Sequence, residues 1–554
     1  MKRDLSALAS RRHDVLIVGG GIYGACALWD AAHRGLKAAL IEKGDFGGAT
    51  SSNSMKTVHG GLRYLQDFDL PLMRTMIKER RAWMTIAPHL VQPLRMLFPT
   101  DGRGRHSRGV LSVALRVTDL VGYDRNRDLG KNSHLPRSTM LTRDEVLSQL
   151  PGLQSSTKIT GAAVWYDAQV LNTEQMLLSI LKSAVQRGAI LANYVRAESI
   201  LLEGQSAVGA RARDLESSQR FDIHARFVVN ATGPWVEQML SSTGRRRPRF
   251  KLSRAVNIVV PKIIDGVGVG LRSCVQMKGD LSRPRSGKTI FIVPWRDWSI
   301  IGTMHGAPVD RPEHVGPIEP EIERLISGVN EVYPGANLDR SSVSMVHTGL
   351  QPLDPRRVDR GRPELLRESE LADHESDLGI RNLISLIGAK YTSARWLAER
   401  AIDLVAHRLD IPVPPSRTGS IPVHGGQITS LEDETSALQA RFSFLSESVI
   451  RQLAQAYGSE AERVLAYAQD DLSKLQAIAG QSSVLRCQIY YAIQEEMARR
   501  PSDVVLRRTD IGSAGPPSQS TLQEIQDIMA QVLGWRSLSS DVENEDSVPL
   551  AELP

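Results

Sequence analysis

Residues 14–42, DVLIVGGGIYGACALWDAAHRGLKAALIE, constrain the fold more than any other stretch, because they read as strand, glycine turn, helix and strand without a break. Val15 to Val18 form an apolar run of the buried-strand type, and Gly19, Gly21 and Gly24 give the G-x-G-x-x-G turn at the mouth of a helix. The first glycine permits a tight turn, the second lets a pyrophosphate approach the backbone, and the third lets helix and strand pack closely. The free N–H groups and dipole of the helix then face the anion. The helix is expected over residues 25–34, stopping at Gly35, and a second apolar run ends at Glu42. A carboxylate there accepts hydrogen bonds from an unphosphorylated ribose, which favours FAD or NAD over NADP.

At 554 residues the chain exceeds a single core, so two or more domains are expected. The formal charge of +6 is spread along the chain without a nucleic-acid-binding motif, so no nucleic acid partner is expected. An anionic substrate or anionic lipid surface remains compatible with it. Cys26, Cys274 and Cys487 stand far apart, with no metal-ligand spacing, which points to a reducing compartment and no metal. The N-terminal MKRDLSALASRRHD lacks an apolar h-region, and no run approaches the length of a spanning helix. A cytoplasmic protein, or one peripheral on the inner face of a membrane, is expected. A homodimer is a compatible assembly.

After Glu42 comes a polar, glycine-rich segment, GDFGGATSSNSMKTVHGGLRYLQDFDL, too long for a simple connection and of the kind that carries function. Thr50, Ser51 and Ser52 offer hydroxyls, Lys56 and Arg63 offer cations, and His59 stands just before Gly60-Gly61. Helical spacing of Met73, Met76, Ile77, Arg80 and Met84 predicts a core helix within residues 67–90. The run VLSVALRVTDLVGYD reads equally well as a membrane-surface helix or a buried one. Phe227 to Asn230 form another buried-strand run, leading into the small turn Ala231-Thr232-Gly233. NIVV, TIFIVP and SIIGT suggest a mixed sheet between residues 250 and 353. Leu383 to Ile387 read as a strand, Gly388-Ala389 as a turn and residues 392–405 as a helix whose N-terminus is flanked by Lys390. The stretch 410–427 is rich in Pro and Gly, and helical patterning follows it. No second glycine fingerprint follows a strand, so no separate NAD(P)H domain is expected.

GGGIYGA followed by ATSSNSMKTVHGGLRYL resembles the flavin-dependent glycerol-3-phosphate dehydrogenase family, and less closely the glycerophosphate oxidases. NATGPWVE, PWRDWSIIGT, LIGAKYTSARWLAE and AIQEEMARRPSDVVLRRTDIG continue the resemblance in family order over most of the chain. It implies an α/β fold: an FAD-binding Rossmann-like core of the glutathione reductase/D-amino-acid oxidase type, a mixed β-sheet substrate layer and a C-terminal α-helical domain. The implied division is a cofactor and substrate domain over residues 1–412, with cofactor parts at 12–100, 160–250 and 375–410 and a substrate layer mainly at 250–375. A linker at 413–427, a helical domain at 428–536 and an acidic disordered tail at 537–554 complete it.

The implied reaction is oxidation of glycerol 3-phosphate, a small anionic alcohol, with electrons passed from FAD to quinone, oxygen or another acceptor. In the family, amphipathic helices rest on the membrane, which suits a lipid-soluble quinone. Carried over by position, His59 is the base or hydroxyl partner and Lys390 polarises the substrate oxygen or supports the flavin. Arg63 and Arg367 hold phosphate with fork-shaped donors. Gly19, Gly21, Gly24, Glu42, Thr50, Ser51, Ser52, Ala231, Gly233, Gly388 and Thr392 form the cofactor site. The match fails at several points. Gln351 stands where the family has a substrate-site arginine, Met304-His305 replace a T-D pair, Met55 replaces a hydroxyl residue, and Asn257 replaces a histidine. An oxidase or dehydrogenase of another small alcohol or amine, as in D-amino-acid or glycine oxidases, and a non-catalytic flavin-binding interaction protein therefore stand as alternatives.

Overall fold

The computed structural model describes residues 1–101, 104–153, 159–245, 250–273, 288–309, 311–313, 315–316, 319–359, 362–513 and 515–535. Cys274 and the acidic tail expected at 537–554 lie outside them.

The fingerprint folds as its chemistry requires. Strand His13–Val18 runs parallel to Ala38–Ile41 on one side and to Arg220–Asn230 on the other. Val15, Leu16 and Ile17 have no exposed surface, as expected of strands covered on both faces. The helix between them spans Ile22–His33 and so begins three residues before the expected start, with Gly21 as its N-cap. It is apolar nearly all round, and accordingly it is buried. Helices Thr173–Val185 and Ala394–Arg408 pack beside it. The sheet is completed by distant segments in the order Glu370–Asp373, Leu383–Ile387, Arg220–Asn230, His13–Val18, Ala38–Ile41, Ile190–Ala192. A hairpin of Val195–Glu203 and Ser206–Asp214 extends from Arg220–Asn230.

A second, mixed sheet has ten strands among the described residues. Its centre is Leu252–Pro261, Lys288–Trp295, Trp298–Val309 and Met345–Asp359. Val91–Thr100 and Gly161–Val170, which the sequence reading put in the cofactor part, belong to this sheet, where they pair with each other along their full length. An apolar run shows that a strand is buried but not which sheet takes its hydrogen bonds. Alternation along these strands separates two faces. Val256, Ile258 and Met304 join a core cluster with helix Glu319–Val332, while Asn257, Thr303 and His305 line a cavity on the other side.

Residues 410–430 carry neither helix nor strand, yet they are tied down. The Thr418 hydroxyl donates to Asp30, the His424 N–H donates to Ser183 Oγ at 2.8 Å, and Val423 is fully buried. The remaining described chain is helical, from Leu431–Arg441 to Gln519–Leu533, with its own apolar clusters.

Candidate active site

A cleft of about 3480 Å³ runs from the glycine turn, between the two sheets, to the surface beside helix Arg108–Val121. At its inner end the glycines leave room that side chains would fill. Gly19 has φ +111°, and a Cβ there would lie 2.5 Å from the Ala231 carbonyl oxygen, so the two small-residue turns touch. A Cβ on Gly24 would lie 1.9 Å from the Gly19 oxygen. A Cβ on Gly21 would meet only Ser51 Oγ, at 3.2 Å, which leaves that side of the turn open to the cleft. These positions fit a dinucleotide pyrophosphate.

Glu42 is fixed by its own neighbourhood. Its carboxylate accepts from the Gly20 N–H at 2.6 Å and the Gly44 N–H at 2.8 Å. Burial raises its pKa, and those two N–H donors act against the rise. Each oxygen keeps a second acceptor site for a ribose hydroxyl.

The hydroxyls of the following loop mainly hold the loop. Ser51 Oγ accepts from the Ile22 N–H at 3.0 Å, at the open end of the helix. Ser52 donates to the Gly47 carbonyl at 2.9 Å. Thr50 donates to the Leu350 carbonyl and accepts from the Leu350 N–H, at 3.2 and 3.1 Å, stitching the loop to the strand that carries Gln351. Lys56, 2% exposed, ties the same loop down through Glu174 and Thr173, both at 2.8 Å. Gly388 is needed because the Tyr23 ring occupies the place of a Cβ there. Gly233 takes φ +56° in the second turn.

His59, Lys390, Gln351 and Arg367 all line this cleft. The His59 N–H donates to Thr392 Oγ1 at 3.3 Å, joining the histidine loop to the turn before helix Ala394–Arg408. That helix starts two residues later than expected, which leaves Thr392 in the turn. The Lys390 ammonium stands 4.7 Å from the Tyr64 ring centre and donates to the Arg367 carbonyl. Arg367 pairs with Asp67 at 3.2 Å and Glu364 at 3.4 Å. Gln351 donates to the Leu366 carbonyl at 3.4 Å. The side chain of Arg63 lies outside the described residues.

Of the departures, Met304 is buried in the core, whereas His305 and Asn257 face the cleft, with Asn257 Oδ1 accepting from the Thr303 hydroxyl at 2.6 Å. Sequence reasoning missed Tyr64 and Tyr23. Tyr64 lies within the quoted HGGLRYL motif, so an aromatic beside the proposed base was available as a signal. Tyr23, whose hydroxyl bonds Ser369 at 2.6 Å, had only its place in the glycine turn.

A mostly parallel sheet with a glycine fingerprint, a carboxylate at the end of its second strand and a second small-residue turn in contact with the first is the framework of a dinucleotide-dependent oxidoreductase. The family model for FAD dependent oxidoreductases matches residues 14–388, and that for the C-terminal domain of alpha-glycerophosphate oxidase matches residues 416–539. The chain belongs to the FAD-dependent oxidoreductase family, in its glycerol-3-phosphate dehydrogenase branch. It is 31% identical to a glycerol-3-phosphate dehydrogenase of Mycobacterium leprae, over 97% of this chain and 87% of that one. It is 29% identical to one of Synechocystis sp., over 97% and 96%. The glycerol-3-phosphate dehydrogenase of Bacillus halodurans, solved with FAD, superposes with a TM-score of 0.71 at 25% identity, covering 96% of this chain and 92% of that one.

Proposed function

We propose that this enzyme oxidises sn-glycerol 3-phosphate to dihydroxyacetone phosphate and passes the electrons to a quinone or another acceptor. The observation that carries this reading is the convergence of His59 with Gln351, Arg367 and Lys390, from two distant parts of the chain, on the cleft that starts at the glycine turn. The chemistry that bound FAD supplies is two-electron acceptance. The chain supplies position and proton transfer. His59 takes the proton of the carbinol hydroxyl while the carbon gives up its hydrogen with both electrons. Lys390 donates to the oxygen as it becomes a carbonyl, held in place by the Tyr64 face and the Arg367 carbonyl. Arg63 and Arg367 hold the phosphate, and Gln351 adds one neutral donor where the family has a cation.

The outer end of the cleft supports a lipid-soluble acceptor and a peripheral site on the inner face of a membrane. Helix Arg108–Val121 turns Val110, Val113 and Leu120 outward, at 50%, 61% and 74% exposure, and buries only Leu115. Phe68, Val110 and Val113 rim the cleft. Among the described residues no helix is long and apolar enough to cross a membrane, so this apolar lip is the feature that would meet lipid.

The test is anaerobic reduction. Glycerol 3-phosphate should bleach the oxidised flavin band of the purified protein. Retained FAD that dithionite bleaches and glycerol 3-phosphate does not would reject the substrate, leaving the Gln351 pocket to another small alcohol or amine. Peroxide formed in air at the rate of turnover would replace the quinone with oxygen.

A further inference from the structure

The C-terminal helical part of the chain reaches the cofactor cleft through one short segment. Arg500, Ser502, Leu506 and Arg507 line the cleft near the Glu42 turn, far along the chain from the glycine fingerprint. Leu506 and Arg507 belong to the π-helical turn Val504–Arg508. Its two arginines meet Asp45, three residues after the ribose acid. Arg508 grips the Asp45 carboxylate with two nitrogens, each at 2.7 Å, and Arg507 donates to it as well. Asn193 Nδ2 adds a bond to Asp45 at 3.1 Å and another to the Met497 carbonyl at 3.0 Å. Arg507 also pairs with Asp503 at 2.9 Å, and Asp503 accepts from the Tyr194 hydroxyl at 2.6 Å.

This network is buried, with Asp45 5% exposed and Arg508 1% exposed. Burial raises the Asp45 carboxyl, and the two guanidiniums more than reverse that, holding it well below the usual carboxylate range. A buried ion network that loses a member leaves an uncompensated charge, so its parts are ordered together. The Asp45 end is continuous with the cofactor cradle. The Tyr194 N–H donates to the Gly44 carbonyl at 3.0 Å, the Gly44 N–H holds Glu42, and the Gly47 N–H donates to the Gly20 carbonyl at 3.0 Å. The turn that presents the ribose acid is thus bonded on one side to the glycine turn and on the other to the C-terminal segment.

We propose that the C-terminal domain is part of the cofactor cradle: Arg507 and Arg508 act as positioning residues that clamp Asp45 and set the Glu42–Gly44 turn for the adenosine half of FAD. Docking of the domain and binding of FAD share one ordering step, so each strengthens the other, and the coupling is reciprocal. The proposal rests on the assignment of FAD to this cleft.

The experiment is titration of FAD into the deflavinated full-length chain, read by flavin fluorescence. Asp45→Asn and Arg507→Gln should each raise the FAD Kd by about tenfold or more, as expected of an allosteric coupling. Arg507→Lys, which keeps the cation, should recover part of the loss. Arg499→Gln, which removes an exposed pair with Glu216 across the same interface, should leave the Kd unchanged. An unchanged Kd in folded Asp45→Asn and Arg507→Gln, or an equal loss in Arg499→Gln, overturns the proposal. Hydrogen–deuterium exchange of the unaltered chain gives an answer that does not depend on how the variants fold. FAD should slow exchange across residues 500–511, and no slowing there while residues 19–24 are protected overturns the clamp. Failure of the unaltered chain to bind FAD at all would instead refute the cofactor assignment.

Discussion

Gly24 shows how little freedom single positions of the cofactor cradle have. With a Cβ placed 1.9 Å from the Gly19 oxygen, Gly24→Ala must push the helix off the strand. The purified variant should lack flavin absorbance. The reacting end makes different demands. His59→Ala should retain FAD and lose about 10²- to 10⁴-fold in kcat, the usual worth of a positioned proton acceptor, measurable by dye-coupled turnover. Retained turnover would take the base away from His59. Gln351 offers a test in the direction of gain: Gln351→Arg restores a charge-assisted bond to a dianion, worth about 1.5–3 kcal/mol, so the KM for glycerol 3-phosphate should fall by about tenfold or more. At this scale the glycine positions were legible because backbone geometry dictates the residue. The partners of Thr50 were not, since its hydroxyl bonds a strand 300 residues away.

Among the elements, helix Arg108–Val121 is where the sequence left a buried and a membrane-surface reading open, and the structure shows an exposed apolar face. Its pattern fits either a buried or an interfacial helix, because periodicity reports that a face is apolar and not what covers it. Tertiary packing decides: Leu115 faces the protein, and Val110, Val113 and Leu120 do not. Leu120→Glu should weaken binding to anionic lipid vesicles and slow reduction of a membrane quinone, while a water-soluble dye is still reduced. Equal vesicle binding by the variant would reject the lipid contact. The methionine helix is the opposite case. Its stripe of Met73, Met76, Ile77 and Met84 predicted burial, and all four are at most 1% exposed over Leu70–Ile86.

At the scale of the molecule, buried histidines should make stability depend on pH, His89 and His347 most clearly. His89, fully buried between Gly425 and Gly458, and His347, 4% exposed, are both pushed down to about 3 by burial, with Lys56 adding to the effect at His347. Unfolded, each protonates near the ordinary value of about 6.5. Between these values the unfolded chain binds more protons, so stability is full above about pH 6.5 and falls as pH drops toward 3, by about 1.4 kcal/mol per unit for each ring. The urea midpoint should therefore fall between about pH 7 and pH 5, and His89→Gln should flatten the slope by about one proton. An unchanged slope would mean that His89 is not held neutral. His89 sits where the cofactor part meets the C-terminal part, a joint that nothing near it in the sequence announces. The sequence by itself determined the glycine turn, the strand that ends before Glu42, the family and the core helices, because each of these is written in local spacing that backbone geometry enforces. The tertiary structure alone decided which sheet received strands Val91–Thr100 and Gly161–Val170, that Met304 turns into the core while His305 faces the cleft, and that Asp45 meets Arg507 and Arg508. Those outcomes depend on which distant surfaces bury each other, and burial between distant segments leaves no fixed period in the chain.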